Sequence, residues 1–154
     1  MIRSFSPQAA RDAAVRPRGA PPPVDPALLG TPVLIIEDEA MIAWTLESLF
    51  DDMGFTSVSL APDADAAIAA ARADAPGLIV SDINLGHGPD GVAAVAAITA
   101  AAPTPTVFVT GYACEDVRAR IARAVPGAAV LRKPVQLDEL QRAVIDALRG
   151  STPH

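Results

Sequence analysis

Cysteine is nearly missing from this 154-residue chain: Cys114 stands alone, so no internal disulfide and no Cys-rich zinc site is possible, which fits a reducing cytoplasm. Long apolar runs are missing too. Stretches such as Val33 to Ile36 and Val107 to Val109 stop far short of a bilayer, which excludes a transmembrane protein. The N-terminus sets Arg3 and Arg11 among Ala, Ser, Pro and Gln where a secretory signal would place an unbroken apolar stretch, so export is not expected. Histidine occurs only at 87 and 154. Lysine is scarcer still, because of 12 basic residues only Lys133 is not an arginine. A lone lysine raises the question of what an arginine could not do at that position.

What is present is apolar and acidic. Hydrophobic residues make up 51% of the chain, enough for one core at this length, and the net charge is −6. Residues 1 to 30 hold four arginines against Asp12 and Asp25, so the remainder is more acidic than the whole. An acidic body repels phosphate backbones, which argues against nucleic acid as a direct partner.

The first thirty residues carry Pro7, Pro17, Pro21, Pro22, Pro23 and Pro26 with few large apolar side chains before Leu28, which predicts a disordered or extended tail. From Val33 short apolar runs alternate with helical periodicity. Strands are expected at Val33 to Glu37, Thr56 to Leu60, Leu78 to Asp82, Thr106 to Thr110 and Ala128 to Leu131. Helices are expected at Glu39 to Met53, stopped by Gly54, then Asp63 to Ala73, Asp90 to Ala102, Glu115 to Val125 and Gln136 to Arg149. Five β-α units predict an α/β fold of the doubly wound, flavodoxin-like (βα)5 type with a five-stranded parallel sheet. One domain is expected over 31 to 150, followed by a short tail at 151 to 154, with no effector domain attached.

In such a sheet ligands bind beyond the carboxyl ends of the strands. Strand one runs into Glu37 and Asp38, strand three into Asp82, strand four into Thr110 and strand five into Lys133. Clustered carboxylates repel unless a cation sits among them, and an all-oxygen set suits Mg²⁺. With that charge neutralised, a carboxylate on the central strand can attack a phosphoryl group, which makes Asp82 the candidate nucleophile. Lys133 would place a compact positive charge on the phosphoryl oxygens, and Thr110 would donate a hydrogen bond to them. Taken singly, an acid at a strand end is usually a helix cap, which Asp38 and Asp82 could also be. The set of four strand ends is what points to chemistry.

Ile-Ile-Glu37-Asp38-Glu39, Val-Ser-Asp82-Ile-Asn84-Leu, Phe108-Val-Thr110-Gly111-Tyr112 and Arg-Lys133-Pro134-Val together resemble the motifs of CheY-like response regulator receiver domains, in the family's order and at similar intervals. The resemblance covers residues 31 to 149. It implies that Glu37, Asp38 and Asp82 hold Mg²⁺ with the backbone carbonyl of Asn84, that Asp82 accepts phosphate from a phosphohistidine, and that Thr110 and Lys133 read its arrival. It also implies a cis Lys133-Pro134 bond. Where the family commonly places an aromatic switch, three residues before the lysine, this chain has Val130. Tyr112 instead follows Thr110-Gly111 as in the single-domain subgroup with a Phe-Ala-Thr-Gly-Tyr (FAT GUY) motif, so Tyr112 is the implied mobile aromatic. Its competing reading is a partly buried anchor at a helix start.

Rival motifs fail on composition. The Asp82-x-Asn84-x-Gly86 run begins like a calcium loop, yet His87 stands where the sharp-turn glycine is needed and no closing glutamate follows. A zinc site lacks ligands around His87, and Glu37-Asp38-Glu39 would repel a dinucleotide. A Mg²⁺-dependent phosphatase would want an acid two residues after Asp82, where Asn84 stands. A phosphate-independent binding module stays open. The expected function is that of a single-domain response regulator, a phosphoacceptor rather than an enzyme, served by a histidine kinase or histidine phosphotransfer protein. On the first helix Trp44 lies about 200 degrees from Ile42. With Met41, Thr45 and Ser48 it forms a candidate face for the phosphodonor, the alternative being that Trp44 packs on the N-terminal segment.

Overall fold

A computed structural model describes residues 19–150 of the chain. Five strands, β1 (Val33–Ile36), β2 (Val58–Ala61), β3 (Leu78–Asp82), β4 (Thr106–Thr110) and β5 (Ala129–Arg132), alternate with five helices. These are α1 (Ala40–Met53), α2 (Ala64–Ala73), α3 (Gly91–Ala101), α4 (Glu115–Ala124) and α5 (Leu137–Gly150). The strands form one parallel sheet in the order β2-β1-β3-β4-β5. This is the expected flavodoxin-like (βα)5 fold, and the order reverses between β1 and β3, where the ends of both strands open onto a crevice.

The two-residue alternation of a strand divides the core. Val33 and Ile35 of β1 face one layer with Val80, Val107 and Val109, covered by Leu46 and Phe50 of α1 and Leu140, Val144 and Leu148 of α5. Leu34 and Ile36 face the other with Ile79 and Phe108, covered by Ala67 of α2, Val95 and Ile98 of α3 and Ile121 of α4. Every residue of β1, β3 and β4 is buried, which is why Val33–Ile36, Leu78 to Val80 and Val107 to Val109 read as continuous apolar runs. Asp63 and Asp90 cap α2 and α3 by accepting from Ala66 N at 2.8 Å and Ala93 N at 2.9 Å. Gly54 ends α1 in a left-handed conformation at φ 100°, as expected of a glycine stop.

Residues 1–18 and 151–154, most of the expected tails, lie outside the described residues. Between 19 and 30 some side chains pack on the domain and others stand exposed. Pro21 and Val24 are buried while Pro22 and Pro23 between them are exposed. Gln141 Nε2 of α5 donates to Pro22 O at 2.7 Å. Asp25 caps a 3-10 turn over Pro26–Leu28, and Leu28 and Leu29 rest on the α1–α5 side of the core. Prolines leave little chain entropy to lose, so a few apolar contacts suffice to hold this strap. Its last turn also moves the start of β2: Thr56 N donates to Leu29 O at 3.1 Å, so Thr56 is held by the strap and sheet pairing begins at Val58.

Candidate functional site

The residues at the strand ends converge. Glu37 continues β1 by donating its N–H to Ala61 O at 3.0 Å, so its side chain is fixed and only 3% of the residue is exposed. Helix α1 begins with Glu39 at its N-cap position and no side-chain capping bond. The acids ending β1 are therefore not consumed as caps. Asp82 at the end of central β3 and Thr110 at the end of β4 are both buried, whereas Asp38 is exposed. One carboxylate oxygen from each of Glu37, Asp38 and Asp82 falls within 4.8 Å of the other two, the sole such cluster of metal-ligating side chains among the described residues.

Lys133 reaches into this cluster from the end of β5. Its N–H donates to Thr110 O at 2.8 Å, and the Lys133-Pro134 bond that follows is cis, as the family resemblance implies. The ammonium lies 3.1 Å from Glu37 Oε2 and 3.1 Å from Asp82 Oδ2. A compact point charge on a flexible stem can sit between two carboxylates on different strands, where a planar guanidinium would engage one of them as a fork. That answers why the chain's lone lysine stands at this position.

The electrostatics follow from burial and crowding. Burial pushes Glu37 up to about 7, with the Asp82 charge adding to the rise and the Lys133 hydrogen bond opposing it. For Lys133 burial works against the charge, but Glu37 and Asp82 outweigh it and raise its pKa, so the ammonium stays charged. Asp82 spends its other oxygen on Ile83 N at 2.7 Å, and its backbone carbonyl accepts from the buried Ser81 hydroxyl at 2.8 Å. A donor set of three carboxylates with one exposed edge suits a hard divalent cation. Asn84 lines the same pocket, an open space of about 420 Å³ that also takes in Thr110, Gly111 and Tyr112.

Thr110 is not idle in this arrangement. Its hydroxyl donates to Tyr112 O at 3.0 Å and accepts from Tyr112 N at 3.2 Å. Tyr112 itself is 73% exposed, so it is not the buried anchor of the competing reading. Val130, at the usual aromatic position, is half-buried. His87 is exposed and outside the carboxylate cluster. On α1, Met41 and Trp44 are 73% and 58% exposed, with Thr45 and Ser48 exposed beside them, so Trp44 faces outward rather than packing on the described strap. Beside them a groove of about 350 Å³ runs between Ile42, Leu46 and Leu49 of α1 and Pro134-Val135. A larger hollow of about 770 Å³, at the opposite end of the sheet among Pro103, Pro105 and Pro126, has Asp146 as its one titratable group and none of the chemistry.

Sequence reasoning missed three residues here. Ser81 reads as one more polar residue in an apolar run, yet it anchors the carbonyl of the acceptor. Gly91 looks like an ordinary residue after a cap, yet a Cβ built there would lie 1.7 Å from Asp82 O and 2.7 Å from Ser81 Oγ. Its φ is not positive, so the glycine is needed for space and not for conformation. Arg120 grips Asp90 through its two terminal guanidinium nitrogens, one at 2.9 Å from Oδ1 and the other on Oδ2, a pairing across thirty residues that no local pattern announces.

Comparison with known proteins agrees with this geometry. The model of the response regulator receiver domain family matches residues 33–145. The phyllosphere-induced regulator PhyR of Methylorubrum extorquens is 36% identical over 85 residues, 54% of this chain and 32% of that protein. The transcriptional regulatory protein PdtaR of Mycobacterium tuberculosis is 31% identical over 112 residues, 73% of this chain and 54% of that protein. The chain thus matches only about a third to a half of the length of these curated relatives. Among solved structures, the response regulator REC domain of Erythrobacter litoralis PhyR aligns with TM-score 0.69 and 30% identity, covering 83% of this chain and 98% of that one. The receiver domain of NtrX from Brucella abortus aligns with TM-score 0.70 and 30% identity, covering 77% and 99%.

Proposed function

The chain belongs to the response regulator receiver domain family, and we propose that it accepts a phosphoryl group on Asp82 from a phosphohistidine and signals by protein-protein contact. The observation that carries this reading is the position of the Asp82 carboxylate, buried beside Lys133 Nζ at 3.1 Å and within 4.8 Å of the oxygens of Glu37 and Asp38. An Asp82 oxygen attacks phosphorus, the N–P bond of the donor imidazole breaks with its electron pair returning to the ring nitrogen, and an acyl phosphate forms. Glu37, Asp38, Asp82 and the Asn84 carbonyl would hold Mg²⁺, which supplies positive charge to the acids and to the phosphoryl oxygens. Lys133 releases its hold on Asp82 and follows the new negative charge. Thr110 turns its hydroxyl from the Tyr112 backbone onto a phosphoryl oxygen, a differential contact that shifts the population of the loop carrying Tyr112. On this reading the switch is Tyr112, as in the Phe-Ala-Thr-Gly-Tyr subgroup, and not the position of Val130.

Labelling by acetyl phosphate in Mg²⁺ followed by intact mass tests the reading, since it predicts a gain of one phosphoryl group; a chain that gains none from acetyl phosphate or from a phosphohistidine donor is not a phosphoacceptor. The phosphatase alternative gains no support from the site, where Asn84 occupies the place of the second acid.

Metal and proton should compete for Glu37. A carboxyl whose folded pKa lies above its unfolded value stabilises the fold below that unfolded value and loses the contribution as pH rises through about 7. Without metal, Glu37 should therefore cost stability as it charges, and Mg²⁺ should restore it. The gain in melting temperature on adding Mg²⁺ is expected to be larger at about pH 8 than at about pH 5.5. Glu37→Gln should flatten the difference, and equal gains at both pH values in the native chain would count against Glu37 as a ligand.

The histidine kinase or phosphotransfer protein is proposed to dock on the α1 face, because exposed Met41 and Trp44 adjoin an apolar groove that ends at Lys133 and Pro134. A buried tryptophan anchor is worth roughly 2 kcal/mol or more at an interface. Trp44→Ala should slow transfer from the protein donor by about tenfold or more while leaving acetyl phosphate labelling unchanged. Unchanged transfer from both donors would remove this face from the account.

A further inference from the structure

Helix α4 packs on the core through buried Ile121, partly buried Val117 and buried Val125 at its C-cap, a narrow apolar stripe on an otherwise polar helix. Arg120, next to Ile121, supplies a second hold. Both terminal guanidinium nitrogens, Nη1 and Nη2, reach the Asp90 carboxylate, with Nη2 to Oδ1 at 2.9 Å, while Asp90 also caps α3 through Ala93 N at 2.9 Å. Burial alone would raise Asp90, yet the Arg120 and backbone hydrogen bonds outweigh it and hold the carboxyl below its usual range, so the pair is charged on both sides. The bridge therefore ties α4 to the far end of the loop that starts at Asp82. At its own start α4 follows closely on Thr110, Gly111 and Tyr112, where the Thr110 hydroxyl is committed to the Tyr112 backbone in both directions. Turning Thr110 toward Asp82 breaks both of those bonds and frees the chain leading into α4. Whether α4 follows then depends on the Arg120–Asp90 pair.

We propose that Arg120 and Asp90 are positioning residues of the phosphorylation response: their ion pair braces α4 in the arrangement where Thr110 is bonded to Tyr112. Opening the pair is part of the work that acyl phosphate formation has to do. The inference rests on the phosphoacceptor reading and adds to it the element that sets how readily the loop responds.

The test is an NMR titration of the full chain with beryllofluoride in Mg²⁺, read at the Gly111 and Tyr112 amides. Arg120→Ala removes one partner, and Asp90→Ser removes the charge while keeping a residue that caps α3. In the absence of beryllofluoride, both variants should show these amides displaced along the line from the free to the saturated native chain. Half-saturation should fall about threefold to fivefold, in keeping with a partly exposed pair. The double variant should go no further than either single one, since both remove the same contact. Native-like positions with unchanged half-saturation, or additive effects in the double variant, would overturn the brace. If the native chain itself ignores beryllofluoride, the phosphoacceptor reading falls and the brace with it, whereas a responsive native chain with indifferent variants sinks the brace alone. Should Arg120→Ala fail to fold, Arg120→Gln and Asp90→Ser carry the same comparison.

Discussion

Replacing Asp82 by asparagine should reduce phosphoryl labelling from acetyl phosphate to background without unfolding the chain. An amide is no nucleophile, and neither neighbouring acid can stand in for the lost carboxylate. Glu37 is buried with its oxygens held by Lys133 and by Glu39 N at 3.3 Å, and Asp38 sits on the exposed edge of the cluster. Stability should not fall with activity. In metal-free buffer the change removes the repulsion of Glu37 and Asp38 along with the attraction of Lys133, and an asparagine oxygen can still accept from Lys133 Nζ, so the melting temperature should hold. Intact-mass spectrometry and thermal melts on the same sample separate the two effects. Residual labelling near the native level would show that another residue takes the phosphate.

Gly91→Val should be the most destabilising single change near the site, and it should also cripple labelling. The new Cβ would lie 1.7 Å from Asp82 O and 2.8 Å from Asp82 C, and these are backbone atoms of the central strand, which cannot swing aside as a side chain can. Either α3 backs off, opening the layer that Val92 and Val95 fill, or the end of β3 shifts and carries the Asp82 carboxylate off Lys133. Overpacking of this kind costs about 3 kcal/mol or more. At this chain length that is a fall of roughly 10 °C in melting temperature. Gly30→Ala is the control, because it lies outside the site, nothing lies within 4 Å of a Cβ there and its φ is not positive. A Gly91→Val chain that melted and labelled like the native one would mean that α3 does not press on the acceptor strand.

The strand ends are legible in the sequence because a buried parallel strand is apolar throughout, so the first polar residue after it marks where the chain leaves the sheet. That pattern leads directly to Glu37 and Thr110, and to within one residue of Asp82 and Lys133, where Ser81 and Arg132 come first; residue type then selects the carboxylate and the ammonium, and the fold brings all four to one edge. The strap is not legible. Proline-rich composition signals a chain without secondary structure, and that much describes residues 19–25, but composition does not say whether such a segment packs. Only the α1–α5 seam, assembled from residues far apart in the chain, gives Val24 somewhere to go.

The same distinction separates the site residues that sequence reasoning finds from those it misses. Carboxylates, a hydroxyl and an ammonium advertise their chemistry by type, whereas Gly91 matters through the atom it lacks and Ser81 through a bond to its neighbour's carbonyl. Arg120 is one arginine among many until the fold sets α4 beside α3. For Tyr112 sequence and family resemblance imply a role, and the structure adds its outward position and the two backbone bonds to the Thr110 hydroxyl, which break if that hydroxyl turns toward Asp82.

The most direct measurement is the intact mass of the native chain after incubation with acetyl phosphate, with Mg²⁺ and with the metal chelated, followed by peptide mapping. The account predicts a gain of one phosphoryl group per chain in Mg²⁺, carried by the peptide containing Asp82 and lost when the metal is withheld. A chain that gains no phosphoryl group from any donor, or gains it elsewhere with Asp82 unmodified, would contradict it.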